Sequence, residues 1–362
     1  MKIPGLYKID WYIIKKFLGT YFSAILLIIS ICVMFDFIEK VDKFIDHNAP
    51  TSAIIFDYYV NFIPYFINLL SPLFVFIAVI FFTAKMADNS EVIAILSSGI
   101  SFTRLMRPYL VSAGFIAVMT FILSSYVIPP ANVKRIEFQN KYVRDKRVVW
   151  GDNIQLEVEP NVIAYFDRFD ANNKTGYKFS LERFEGKELK SRLTAQQIVW
   201  DTAYHWTLKN YLIRDFKGLT EELKSGAAMD TTLTIIPSDF MISVNDCEQM
   251  NTSELRTYIE RQKKRGIRQI HLFEIEYHKR FAMAFAAFIL TVIGASLSAR
   301  KKKGGMGINI GLGLLLSFSY ILFQQVSSSF AINGLVSPFI ATWFPNVIYA
   351  FIAAYLYTKA PN

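Results

Sequence analysis

Residues 17–35 read FLGTYFSAILLIISICVMF and contain no charged side chain. A helix that crosses the hydrocarbon layer of a bilayer needs about 20 mostly apolar residues, because each residue adds about 1.5 Å to its length. The stretch meets that length. It also lies too far from the first residue, and lacks the small-residue cleavage site, to be a removed signal peptide. It therefore predicts a membrane-spanning helix.

Further uncharged runs of similar or greater length follow along the chain. They cover residues 58–84, 108–128, 281–299 and 304–358. The last run is too long for one span, and the turn residues Asn333, Gly334 and Pro338 divide it into two. Pro129-Pro130 is predicted to end the third span. The sequence thus predicts six transmembrane helices, three on each side of a large polar loop.

The composition agrees with a membrane protein, since 53% of the 362 residues are hydrophobic and only 19% are charged. Soluble domains average about 25% charged residues. The net charge is +9, and the basic residues concentrate in the loops on one side of the predicted spans, including Lys15, Lys16, Arg104, Arg107 and the run at 300–303. By the positive-inside rule both termini are predicted to be cytoplasmic, and the large loop is predicted to lie on the opposite side of the membrane.

The loop, residues 131–270, alternates apolar and polar residues at the period of a β-strand, as in 154–158, 162–166 and 206–211. Turns are predicted at Glu185-Gly186 and at 224–226. Many short strands at this spacing are typical of a sandwich or jellyroll. Asn251 and Glu254 predict the start of one closing helix, and Gly266 its end. Two interpretations of the loop are possible: it binds or passes on a ligand or partner, or it only stabilises the spans.

We therefore predict an α-helical membrane protein, with six transmembrane helices arranged 3+3 and an inserted periplasmic, all-β, jellyroll-like domain. The domains are residues 1–130, with transmembrane helices 1–3; residues 131–270, the β domain; and residues 271–362, with helices 4–6.

A short helix is predicted near residues 88–99, between the second and third spans. Asp88 followed by Glu91 resembles a capping box, and Gly99 supplies a left-handed stop. The apolar residues of this helix, Val92, Ile95 and Leu96, fall on one face. It is too short to span a bilayer, so it either anchors the loop at the membrane surface or docks a cytosolic partner that drives the spans. Glu91 would then offer a charge-assisted hydrogen bond to a partner arginine.

The chain resembles the LptF/LptG (YjgP/YjgQ) permeases over essentially its whole length. The resemblance rests on the order of several short stretches. These are NSE at 89–91 before SSGIS at 97–101, VIPPAN at 127–132, WTLKN at 206–210 after Trp200, MNTSEL at 250–255 and FPN at 344–346.

The resemblance implies a permease subunit that exports lipopolysaccharide from the inner membrane. Its partners would be a second permease of the same family, the dimeric ATPase LptB and an LptC-type bridge protein, and its β domain would pass the lipid onward. The short helix would be the coupling helix, with Glu91 meeting the ATPase. Lys40 and Lys43 match the basic residues that family members place near the lipid phosphates at the outer end of the first span.

Other side chains have both a lipid-binding and a structural interpretation. Lys134 and Arg135 either contact a phosphorylated lipid or anchor the third span at the interface. Phe318 and Phe323 either line a cavity for acyl chains or pack against other helices. Asp36 is predicted to pair with Lys40 one turn away, and the run at 300–303 to set the topology.

No cofactor or metal is predicted, and no catalytic residues. The chain has no GxxxxGK[ST] loop, so ATP hydrolysis would belong to a separate cytosolic ATPase. Four scattered histidines and two cysteines offer no metal-ligand spacing. Two alternatives remain open: a permease-like protein that transmits a signal or tension without moving a substrate, and a periplasm-facing enzyme that modifies lipids.

Overall fold

The computed structural model describes residues 7–143, 150–171, 173–218, 220–237, 247–264, 270–299 and 305–360. The chain forms two compact units. The membrane unit comprises Met1–Val143, Glu248–Ser253 and His271–Asn362, and the β unit comprises Arg144–Cys247 and Glu254–Ile270. The basic run at 300–303 and the predicted helix stop at Gly266 lie outside the described residues.

The described residues include six helices long and apolar enough to cross a membrane, so the six predicted spans are confirmed. The first three of these helices extend beyond the uncharged runs at both ends. In chain order the helices are α1 (Lys8–Asp46), α2 (Thr51–Asp88), the short α3 (Glu91–Ser97), α4 (Phe102–Tyr142), α5 (Thr252–Lys264), α6 (His271–Ser298), α7 (Gly305–Ile332) and α8 (Pro338–Thr358).

The prediction that Pro129-Pro130 ends the third span is wrong, because α4 continues to Tyr142. Residues Leu123–Val127 form a π-helical segment, and the α-helix resumes at Ile128 with both prolines in its first turn. A proline in a first turn is tolerated since its missing N–H has no intrahelical partner there. The π segment thus changes the hydrogen-bonding pattern just before the prolines, and the helix continues past them.

The spans differ in how much of their surface is packed within the chain. Over the most apolar stretch of each helix, 56% of the residues of α2 and of α6 are buried, against 17% for α1 and 22% for α7. α1 and α7 both pack on α2. At the α2–α7 contact Gly313 lies so close to Ile80 that an added Cβ would overlap the Ile80 side chain.

The described residues of the β unit include one six-stranded sheet, in which every strand pairs antiparallel with its sequence neighbours. The strands are β1 (Trp150–Glu159), β2 (Val162–Asp170), β3 (Thr175–Glu185), β4 (Glu188–Trp200), β5 (His205–Lys217) and β6 (Thr220–Thr232). The predicted inserted all-β domain is confirmed. Where the structure describes residues between 150 and 237, they form an open meander, without the second sheet that a sandwich would add.

Alternate side chains of the sheet form an apolar core around Phe166, Phe179 and Trp206, and the Trp206 indole N–H donates to the Ile235 carbonyl (3.0 Å). The turn at Glu185-Gly186 is confirmed. The turn predicted at 224–226 is wrong, because these residues lie inside β6. Gly226 pairs with Tyr211, whose ring lies 2.8 Å from where a Cβ would be, so this glycine makes room for a side chain.

Candidate functional site

The short helix α3 lies between two left-handed residues. Ser90 precedes it with φ 62°, and Gly99 follows it with φ 86°. Gly99 is the stop that the sequence predicts. The predicted Asp88–Glu91 capping box is wrong: Asp88 is the last residue of α2, and Glu91 is the first helical residue after Ser90, whereas a capping box needs the acid at the third helical position.

The apolar face of α3 packs on the chain's own spans. Val92 is 1% exposed and belongs to the core that α1, α2 and α4 form, and Ile95 and Leu96 pack against the same core. These residues therefore hold α3 to the membrane unit. Ile93, in contrast, is 52% exposed and does not belong to that core. The sequence analysis did not include Ile93 among the candidate site residues. An apolar residue outside the apolar face of a short helix is the feature of the sequence that would have identified it.

Glu91 is half-buried, and its two carboxylate oxygens accept different hydrogen bonds. The Tyr12 hydroxyl of α1 donates to Oε2 (3.1 Å), and the Asn89 side-chain amide donates to Oε1 (3.2 Å). Each carboxylate oxygen has a second lone pair, so both retain capacity for a donor from a partner.

The ends of the spans nearest Tyr142 and His271, where the chain leaves for and returns from the β unit, are called the insertion end here. The predicted Asp36–Lys40 ion pair is confirmed there. The Lys40 ammonium also donates to the Tyr58 hydroxyl (2.6 Å), and the Tyr59 hydroxyl donates to Asp36 (3.2 Å). Lys40 is therefore engaged inside the chain, whereas Lys43 is exposed.

Arg135 and Lys134 diverge although they are neighbours. Arg135 is 8% exposed, its guanidinium carbon lies 4.3 Å from the centre of the Tyr65 ring, and Nη2 lies 3.8 Å from the Glu248 carboxylate. Lys134 is exposed. Of these two basic residues, Lys134 is the one that an approaching anion meets without breaking an existing contact.

Residues 248–252, where the chain returns to the membrane unit, are held by polar contacts to three spans. Arg280 of α6, 3% exposed, donates to the Met250 carbonyl (2.9 Å) and the Thr252 hydroxyl (3.0 Å), and also contacts Glu276 (3.3 Å). Thr252 donates to Ser125 (2.9 Å) in the π segment of α4. Apart from the Glu276–Arg280 pair, which is one helical turn apart, these partners are far apart in sequence, so no local pattern predicts the contacts to Met250 and Thr252.

Glu248 is the carboxylate of this return segment. It accepts from the Asn132 amide (3.3 Å) and, at the limit of hydrogen-bonding distance, from the Tyr65 hydroxyl (3.4 Å). Burial raises the pKa of the Glu248 carboxyl above its usual range, and the nearby Glu276 carboxylate raises it further, while the positive charges of Lys279 and Arg135 oppose both.

The two predicted acyl-contact residues occupy different environments. Phe318 of α7 is 55% exposed, and Phe323 packs against Phe344 of α8 with ring centres 5.7 Å apart. Phe318 belongs to an apolar stripe on the outer face of α7. The exposed residues of this stripe are Ile308, Leu312, Leu315, Phe318, Leu322, Val326 and Phe330.

Across the described ranges, no three histidine, cysteine or acidic side chains lie close enough to hold a metal ion.

The architecture and the short helix between its second and third spans define a multi-pass membrane protein of the permease class. Residues 11–359 match the family model described as lipopolysaccharide export system permease LptF/LptG, and the chain belongs to that family. A comparison with curated proteins found no match.

Membership confirms the resemblance seen in the sequence. The family is the lipopolysaccharide export permease family, so the chain is a membrane transport protein of the Lpt transporter complex.

Proposed function

We propose that the chain is the transmembrane permease subunit of an ATP-driven exporter, which extracts lipopolysaccharide from the inner membrane and passes it to a periplasmic bridge. The proposal rests on the position of α3. Its apolar face packs on the core of the spans, whereas Ile93 is exposed and Glu91 is partly exposed. A partner that moves α3 must move the spans on which Val92 packs.

The proposed partners are a second LptF/LptG-type permease, an LptB dimer and an LptC-type bridge protein. The weakly buried outer faces of α1 and α7 support pairing, because a second permease facing them would enclose an apolar space between the two chains. Both termini are proposed to be cytoplasmic, on the same side as α3. The Tyr357 hydroxyl near the C-terminus donates to Thr103 (2.8 Å), and Tyr12 near the N-terminus donates to Glu91 of α3 (3.1 Å).

In the proposed cycle, lipopolysaccharide enters sideways from the outer leaflet between the first and fifth spans, α1 and α7, of the paired permeases. Its acyl chains occupy the apolar space, where Phe318 is exposed, and its phosphates meet basic side chains at the insertion end. Lys43 and Lys134 are open for this contact, since both are exposed. ATP-driven closure of the cytosolic dimer displaces α3 and compresses the space, and the lipid leaves for the β domain. The chain contributes no bond-making chemistry of its own.

The coupling assignment is tested by charge reversal. Glu91→Lys in the full complex is expected to lower the amount of ATPase that copurifies with the chain and to reduce export, because it replaces an acceptor by a cation. Asp57→Lys makes the same change in net charge at an exposed residue near the start of α2 and should leave ATPase association intact. Equal association of the ATPase with Glu91→Lys and with the unaltered chain would overturn the assignment.

A further inference from the structure

An ion pair between a buried carboxylate and a partly exposed guanidinium joins α1 to the start of α4, next to α3. Asp10 of α1 is 1% exposed, and both of its carboxylate oxygens accept from the Arg104 guanidinium, at 2.8 Å and 2.6 Å. The Tyr7 backbone N–H donates to the same carboxylate (2.8 Å). Two parallel hydrogen bonds between a guanidinium and a carboxylate fix orientation as well as distance.

Arg104 is close to α3 along the chain. Gly99 ends the turn after α3, and Ser101 begins α4 by accepting a hydrogen bond from the Arg104 backbone N–H (3.3 Å). The opposite end of α3 is tied to the same part of α1 through Tyr12 and Glu91 (3.1 Å). The first turns of α1 are therefore bonded to the chain on both sides of α3.

Apolar packing also joins these helices, because Ile13 of α1, Val92 of α3 and Leu105 of α4 belong to one buried core. A groove of about 630 Å³ lies between the start of α1, α3 and the start of α4. Its lining includes Ile9, Ile95 and Ile100 together with Asp10 and Arg104. At this groove the two Asp10–Arg104 hydrogen bonds add a directional polar link between the start of α1 and the start of α4 to the apolar packing.

We propose that the Asp10–Arg104 ion pair is the positioning element through which displacement of α3 reaches α1, the least buried span. The inference rests on the proposed role of α3 as the ATPase-coupling helix. It assigns neither residue to the ATPase interface or to lipid contact. According to the inference, displacement of α3 moves the first span, α1, as well as α2 and α4.

The pair is tested by charge exchange in the assembled complex. Asp10→Asn and Arg104→Gln should each leave ATP hydrolysis nearly unchanged, while the glycolipid released per ATP falls by about two- to thirtyfold, the range typical of residues that carry coupling between sites. The exchanged pair, Asp10→Arg with Arg104→Asp, should recover most of the loss. Thr103→Val is the control, since it removes a bond to α8 at a neighbouring residue without touching α1.

A second measurement does not depend on how the ion-pair variants fold. Spin labels at the exposed residues Trp11 of α1 and Ser97 of α3, in a chain whose Cys32 and Cys247 are replaced by alanine, report the separation of the two helices. We expect the same distance distribution without nucleotide and in an ATP-trapped state, because the two helices move together. A changed distribution would overturn the inference, as would ion-pair variants that keep full release per ATP.

The two proposals fail differently. If the unaltered complex binds no ATPase or releases no glycolipid, the proposed function is wrong. If the unaltered complex is active and the Asp10 and Arg104 variants release as much glycolipid per ATP as it does, the ion-pair assignment alone is wrong.

Discussion

Arg280→Met tests whether the return segment is held to the spans as the structure shows. The substitution keeps an unbranched apolar side chain in place of the aliphatic part of the arginine but removes its donors to Met250, Thr252 and Glu276. Since Arg280 is 3% exposed, water does not readily replace these bonds.

The expected loss is large for a single side chain. Removing one partner from a buried, hydrogen-bonded charged group typically costs about 3–5 kcal/mol, because the remaining polar groups stay buried without compensation. For a large domain this corresponds to a melting temperature lower by about 6–10 °C.

The assay is thermal unfolding of the purified full chain in detergent, with Lys279→Met as the matched control. Lys279 also carries a positive charge on α6, but its side chain is 34% exposed and its ammonium lies 4.0 Å from Glu276. A pair of this kind contributes less than about 1 kcal/mol, so the control should melt within about 2 °C of the unaltered chain. Equal shifts for the two variants would refute the account of the return segment.

Three further outcomes follow from packing, protonation and exposure. Gly313→Ala should lower stability by about 1–3 kcal/mol because its Cβ overlaps α2. Gly311→Ala, which meets no atom within 4 Å, should be neutral or gain up to about 1 kcal/mol in thermal unfolding. Since the folded pKa of Glu248 is raised, its protonated form favours folding; that stability is present below the unfolded pKa of about 4.3 and is lost as pH rises through the folded value. The unaltered chain should therefore lose melting temperature relative to Glu248→Gln between pH 4 and 7, and parallel curves would contradict this. Ile93→Ala should change unfolding by less than about 0.5 kcal/mol yet weaken ATPase binding about fivefold or more, whereas Val92→Ala should cost about 2–3 kcal/mol in stability.

The spans could be predicted because each requires a long uncharged run, a signal that one segment carries by itself. Prediction from the sequence failed where the surrounding structure decides which conformation a residue adopts. Pro129 ends a regular helix, but a π segment just before it lets α4 continue. Gly226 is typical of a turn, but in β6 it accommodates the Tyr211 ring.

The sequence predicted the short helix of the candidate site, but not what each face of that helix contacts. Val92, Ile95 and Leu96 share one face, as the sequence predicts, yet only the structure shows that this face packs on the chain's own spans. The Asp10–Arg104 and Arg280–Met250 contacts join residues separated by 94 and 30 positions. No spacing rule relates such pairs, because their distance depends on how the spans pack.

The most direct test of the central proposal is reconstitution of the affinity-purified native complex in vesicles that contain lipopolysaccharide. The account predicts a second six-span permease and two copies of a soluble ATPase with the chain, and ATP-dependent release of the glycolipid to a periplasmic bridge protein. A complex that hydrolyses ATP in these vesicles but releases no glycolipid would contradict the account and favour a permease-like protein that transmits a signal or tension.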